Sequence, residues 1–118
     1  MVDLSTFTEK ARQALGAAQA LAARHHHGRL TVEHVLSTLL EDATGPAVRI
    51  LDLCGVQVAT ARSIVADGLS SLPKVTGSGA QVYMDPELAG ALTAATDWSK
   101  GRGDRFVGQD ALLVGLVT

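Results

Sequence analysis

The chain has 118 residues, enough for one domain whose single core needs neither disulfide nor metal support. Hydrophobic residues reach 47% while aromatics supply only 3%, a mixture rich in Ala and Leu that argues against a sandwich or barrel and for packed helices. Ten basic and twelve acidic residues are mixed along the chain for a net charge of −2, which leaves no basic face for nucleic acid.

The lone Cys54 excludes an internal disulfide framework and fits a reducing, cytoplasmic setting. The N-terminus MVDLSTFTEK has no apolar h-region of a secretory signal, and no apolar run approaches the ~18 residues of a membrane span.

In chain order, apolar residues at Ala11, Ala14, Leu15, Ala18, Leu21 and Ala22 make one helical stripe that Gly28 closes. Thr8 is its N-cap, with Thr6 and Glu9 as a competing capping box two residues earlier. A second helix starts at Thr31, with Glu33 in its first turn, and buries Val35, Leu36, Leu39 and Leu40. A third runs from Pro46 to Cys54 with Gly55 as its stop. A fourth carries Val58, Ala61, Val65, Leu69 and Leu72 and ends before Pro73. PKVTGSGAQVY, residues 73–83, shows no helical period and reads as an extended connector. A fifth helix starts at Asp85-Pro86 and carries Leu88, Ala91, Leu92, Ala95 and Trp98; a sixth begins near Gly108 and carries Leu112, Leu113, Leu116 and Val117.

A shift of 77 positions superimposes the fifth and sixth helices on the first and second. Ala14-Leu15 falls on Ala91-Leu92, Ala17-Ala18 on Ala94-Ala95, Leu36 on Leu113 and Leu39 on Leu116. The start signals align too, Thr8 with Asp85 and Thr31 with Gly108, which marks an internal duplication of a helical unit. The expected fold is therefore all-α with a pseudo-twofold repeat: repeat one over about 7–72, the connector over 73–83, and repeat two over about 84–118. Counterparts of residues 46–72 are missing from the second copy. The chain reads as an incomplete piece of a domain of about eight helices, its C-terminal apolar face left partly bare.

Few residues carry chemistry. His25, His26 and His27 are consecutive, so on a helix they point about 100° apart and do not converge on an ion. Near the end of the first helix they can bond free carbonyls and, when charged, meet the negative end of its dipole. His34 has Ala111 as its repeat partner, which argues against a ligand needed in each copy; no metal is expected. Cys54 lies on an apolar stripe after Leu51 and reads as a small buried hydrophobe. Arg102-Gly103-Asp104 belongs to an inter-helix loop in which the Asp104 side chain can accept backbone N–H bonds. No phosphate-binding glycine loop, paired carboxylates or activated nucleophile is present, so the chain is not expected to be an enzyme.

The run FTEKARQAL…AQALAARH…LTVEHVLSTLLED, the LPKVTGSG that follows, and the second copy ending GDRFVGQDALL resemble the Clp N-terminal domain. That module stands at the front of the Clp family of AAA+ unfoldases, and the resemblance covers nearly all 118 residues. The connector LPKVTGSGAQVY is most similar to the ClpB disaggregase branch.

The resemblance implies a non-catalytic, cytoplasmic binding domain with no cofactor of its own. ATP and magnesium would belong to ATPase modules of a hexameric parent, and the isolated domain would be a monomer. The implied partners are unfolded or aggregated polypeptides and adaptor proteins, with no nucleic acid and no membrane. The implied substrate-binding positions are Thr8, Asp104 and Asp110 as a polar cluster, and Ala94, Trp98 and Ala111 along an apolar groove. The ClpC and ClpA branches imply an alternative, adaptor or phosphoarginine binding, with Glu33 and Asp110 each pairing a guanidinium. A third reading is a stand-alone helical protein that self-associates through the face left bare at its C-terminus.

Overall fold

In a computed structural model that describes residues 4–42, 44–72, 74, 82–104 and 106–117, the chain folds as six α-helices and one short pair of parallel strands among the described residues. The helices are α1 (Glu9–Arg24), α2 (Val32–Glu41), α3 (Pro46–Leu53), α4 (Val58–Ser70), α5 (Pro86–Gly101) and α6 (Gln109–Val117). The strands are β1 (Arg29–Leu30) and β2 (Tyr83–Met84). The greater part of the connector expected at 73–83 lies outside the described residues; Lys74 bridges His27, and Val82 packs on the core.

The helix starts follow the sequence signals. Thr8 Oγ1 accepts from Ala11 N–H at 3.1 Å, and the Asp85 carboxylate accepts from Glu87 N–H at 3.2 Å, so these equivalent residues both satisfy otherwise free donors. Pro46 and Pro86 occupy first-turn positions, where the missing N–H costs nothing. The N-cap of α1 is Thr8, while Thr6 ends a short 3-10 turn and its carbonyl accepts from Val107 N–H at 2.8 Å.

The helix ends also match between copies. His27 N–H donates to the Ala22 carbonyl at 2.9 Å and His26 N–H to Ala23 at 3.1 Å; Asp104 N–H donates to Ser99 at 2.9 Å and Gly103 N–H to Lys100 at 3.0 Å. This is the same pair of closing bonds 77 residues apart. The left-handed residue each closure requires is Gly103 (φ 79°) in the second copy but His26 (φ 58°) in the first. The closure at His26 is why α1 stops at Arg24 rather than running to Gly28.

The duplication is visible in how the copies clasp each other. β1 and β2 pair Leu30 with Met84, and a parallel bridge joins Phe7 to Val107. Adding 77 to Phe7 and to Leu30 gives Met84 and Val107, so the two bridges are one contact made reciprocally. Asp85 N–H to Leu30 carbonyl and Thr8 N–H to Val107 carbonyl, both 2.9 Å, repeat it in hydrogen bonds. The strands had no signal in the sequence because each is two residues long and exists only through this pairing.

The core lies between α1, α2, α5 and α6 and contains Phe7, Val35, Leu88, Leu92 and Leu112, all fully buried. α3 and α4 are a thinner layer, burying Ala47 and Val65. The Arg62 guanidinium ties α4 to the end of α2 by donating twice to the Leu40 carbonyl, at 3.0 and 2.6 Å. Cys54 is exposed rather than buried, and its neighbour Leu53 is 85% exposed, because the stripe of α3 faces the core only at its start.

Candidate functional site

Three of the six expected contact residues, Trp98, Asp104 and Asp110, meet around the side chain of Arg102. The closing turn of α5 places Arg102 at the helix end, and the left-handed Gly103 brings Asp104 back beside it. Arg102 Cζ sits 4.4 Å from the centroid of the Trp98 ring, one turn earlier on α5. Its Nε lies 3.7 Å from Asp104 Oδ2 and its Nη1 3.7 Å from Asp110 Oδ2. Asp110 also accepts from Ala111 N–H through Oδ1 at 2.8 Å, in the first turn of α6 where a negative charge suits the helix dipole. Thr8 and Asp110 flank Gly108: a side chain there would meet Asp110 Oδ1 at 2.9 Å and Thr8 Cγ2 at 3.9 Å.

Thus Trp98, Asp104 and Asp110 form one aromatic and acidic cluster bridged by Arg102, and Thr8 lies across Gly108 from Asp110, outside the Arg102 contacts. The Asp104 side chain takes the ion pair with Arg102, and the turn is held by its backbone N–H. This corrects the expectation that the carboxylate accepts backbone bonds. The signal for Arg102 was available in the Trp98–Arg102 spacing of four on a helix, which stacks a cation on an aromatic face.

The remaining positions separate. Ala94 lines a cavity of about 500 Å³ between α2, α5 and α6, with Val32, Ala91 and Leu116 as apolar wall and Glu33 and Glu87 as acidic residues among its lining. It lies one turn before Trp98 on α5, so cavity and cluster adjoin along that helix. Ala111 is 1% exposed in the core, packed with Leu112 and Leu113, and offers no contact surface. Position 111 faces inward, as does its counterpart in the first copy, the buried His34. Glu33 and Asp110, which are equivalent by repeat, belong to different surfaces: Glu33 to the cavity, Asp110 to the cluster.

The histidines differ from expectation as well. After the turn at His26, His25 and His27 stack at 5.7 Å and His27 enters the interior, where its Nδ1 lies 2.8 Å from His34 Nε2. Thr31 N–H donates to His34 Nδ1 at 2.9 Å, so His34 carries its proton on Nε2 and donates it to His27 Nδ1. Both rings are therefore neutral rather than charged partners of a helix dipole. Burial, with His27 and His25 adding to it against an opposing Glu33, pushes the His34 pKa down to about 4; burial, then His25 and Lys74, lowers that of His27. No group of three or more His, Cys, Asp or Glu side chains among the described residues is arranged to hold a metal ion.

Helical repeat and reciprocal clasp together define a duplicated helical module of the Clp type. The model of the Clp repeat (R) N-terminal domain matches residues 6–118, and the chain belongs to that family. It is 38% identical over 115 residues to the chaperone protein ClpB of Rhizobium meliloti (strain 1021), covering 98% of this chain and 13% of that relative's length.

Among solved structures it is similar to the N-terminal domain of Hsp104 from Candida albicans, with a TM-score of 0.84 at 20% identity over 94% of this chain and 73% of the other. It is also similar to a ClpV N-domain in complex with a VipB peptide, with a TM-score of 0.80 at 21% identity over 95% and 68% of the two chains. No helix among the described residues is long and apolar enough to cross a membrane.

Proposed function

We propose that this chain is the substrate-recruiting N-terminal module of a ClpB-type, ATP-dependent cytoplasmic disaggregase, binding exposed apolar segments of unfolded or aggregated proteins without catalysis of its own. The observation that carries this reading is the juxtaposition along α5 of a cavity of about 500 Å³ with an apolar wall and a Trp98–Arg102 stack whose guanidinium faces two carboxylates. Native proteins bury their apolar segments, and aggregates expose them. Glu33, Glu87, Asp104 and Asp110 would favour clients that carry Lys or Arg beside the apolar residues. A few hundred Å² of contact must offset the ordering of a flexible client, so binding is weak, which suits a module that hands its client to a motor. The VipB peptide held by a ClpV N-domain is a precedent within the same fold for engaging a polypeptide segment.

The test uses Trp98, the single tryptophan. Adding a reduced, alkylated basic protein shifts its emission, with half-saturation in the micromolar range or weaker. The same titration with Trp98 unmoved, and the far-ultraviolet dichroism that of folded helices, removes Trp98 from the contact. The alternative, phosphoarginine binding, draws on Glu33 in the cavity and Asp110 in the cluster, each pairing a guanidinium. It predicts that free phosphoarginine binds and that Glu33→Ala abolishes this.

A further inference from the structure

A cation already occupies the acidic and aromatic cluster, and it belongs to this chain. Arg102 lies on the Trp98 ring face at 4.4 Å and between two carboxylates at 3.7 Å each, which are the contacts a client guanidinium would seek. Its backbone is fixed by the closing turn of α5, where its N–H points at the Trp98 and Ser99 carbonyls. The side chain is held loosely by comparison: it is 51% exposed, and both ion pairs are longer than a hydrogen bond. Releasing it requires rotation of one side chain and leaves the turn intact.

We infer that Arg102 is an intramolecular competitor, and that a client's Arg or Lys docks on Trp98, Asp104 and Asp110 by displacing it; this rests on the proposed function. The exchange makes the module selective. An apolar segment without a cation cannot evict Arg102, and a segment with one gains only the difference between its own contacts and those Arg102 gives up. Because one cation replaces another, the number of ion pairs at the cluster stays the same. Binding of a basic client should therefore depend little on salt, although the surface is acidic. The Arg-Gly-Asp tripeptide at residues 102–104 has this as its physical content: a cation, a left-handed glycine, and the carboxylate folded back onto that cation.

The test compares the 118-residue chain with its Arg102→Gln and Arg102→Lys variants. The ligands are two synthetic peptides of identical apolar content, one with arginines and one with glutamines at the same positions. Two exposed ion pairs and one stacked cation are each worth a few-fold at most, so Arg102→Gln should bind the arginine peptide about five- to tenfold more tightly. The same variant should show a steeper salt dependence and leave the glutamine peptide within about twofold of the parent. Arg102→Lys, which keeps the charge and loses the planar fork, falls between them. Arginine-peptide affinity that is equal or weaker in Arg102→Gln, with an unchanged melting temperature, overturns the competitor while client binding stands. If the parent and both variants bind neither peptide, client binding itself fails and this inference falls with it.

Discussion

Ser99 and Ala22 occupy equivalent places in the two copies, and both are buried. Ser99 is 2% exposed, and its hydroxyl has no hydrogen-bond partner among the described residues. Desolvating an unpaired hydroxyl costs about 1–3 kcal/mol, and Ala is the better helix former. Ser99→Ala should therefore stabilise the domain by about 1 kcal/mol, read as a higher urea midpoint at unchanged slope. A fall in the midpoint would show that the hydroxyl has a partner.

The same scale shows what sequence alone could and could not disclose. Thr8 and Asp85 were legible as caps because a cap is settled within three residues. Cys54 and Ala111 were not, since whether a small residue faces core or solvent depends on the neighbouring helix. Arg102 was overlooked because its partners Asp104 and Asp110 follow a turn whose geometry the sequence only hints at through Gly103.

At the scale of elements, α5 and α6 pack more closely than a side chain at Gly115 would permit. A Cβ there would collide with the Ala91 carbonyl oxygen and lie 2.9 Å from Ala95 N and 3.0 Å from Ala95 Cβ. The obstruction is backbone, which cannot rotate away. Gly16, exposed in the interior of α1, has nothing within 4 Å of the same atom.

Equal chemistry should thus give opposite signs. Gly16→Ala gains helix propensity and stabilises by about 0.5–1 kcal/mol. Gly115→Ala gains the same propensity but forces the helices apart, at an overpacking cost of about 1–3 kcal/mol or more, for a net loss. Melting temperatures of the two variants check this, and two rises would refute the close approach. Helix positions were readable from period, Pro and caps, whereas α3 and α4 kept most of their predicted stripes half-exposed. An apolar period says which face is greasy, not how much of it finds a partner.

For the whole molecule, the reciprocal clasp makes the two halves near-equivalents that have taken different chemistry at the same place. The turn residues His25 and His27 correspond to Arg102 and Asp104, and His34 corresponds to Ala111. One copy thus closes on a buried, neutral histidine pair and the other opens on a charged surface cluster. The buried pair ties global stability to pH. His34 titrates near 6.5 when unfolded and at about 4 when folded, so across that interval the unfolded chain binds more protons.

Stability is then fully present above about pH 6.5, falls as the pH drops toward 4, and levels off below it. The loss is about 3 kcal/mol from His34, and the lowered pKa of His27 acts in the same direction. Protonation also has a direct structural cost. An added proton on His27 Nδ1 would face the one His34 already donates, with His25 and Lys74 as further positive charges nearby and Glu33 as the opposing negative one. Urea midpoints at pH 7.5, 5.5 and 4.5 should decline in that order. His34→Gln, whose amide can both accept from Thr31 N–H and donate to His27, should be less stable at pH 7.5 but flatter in its pH dependence. A parent profile flat from pH 7.5 to 4.5 would mean that the pair takes up its protons without opening the fold.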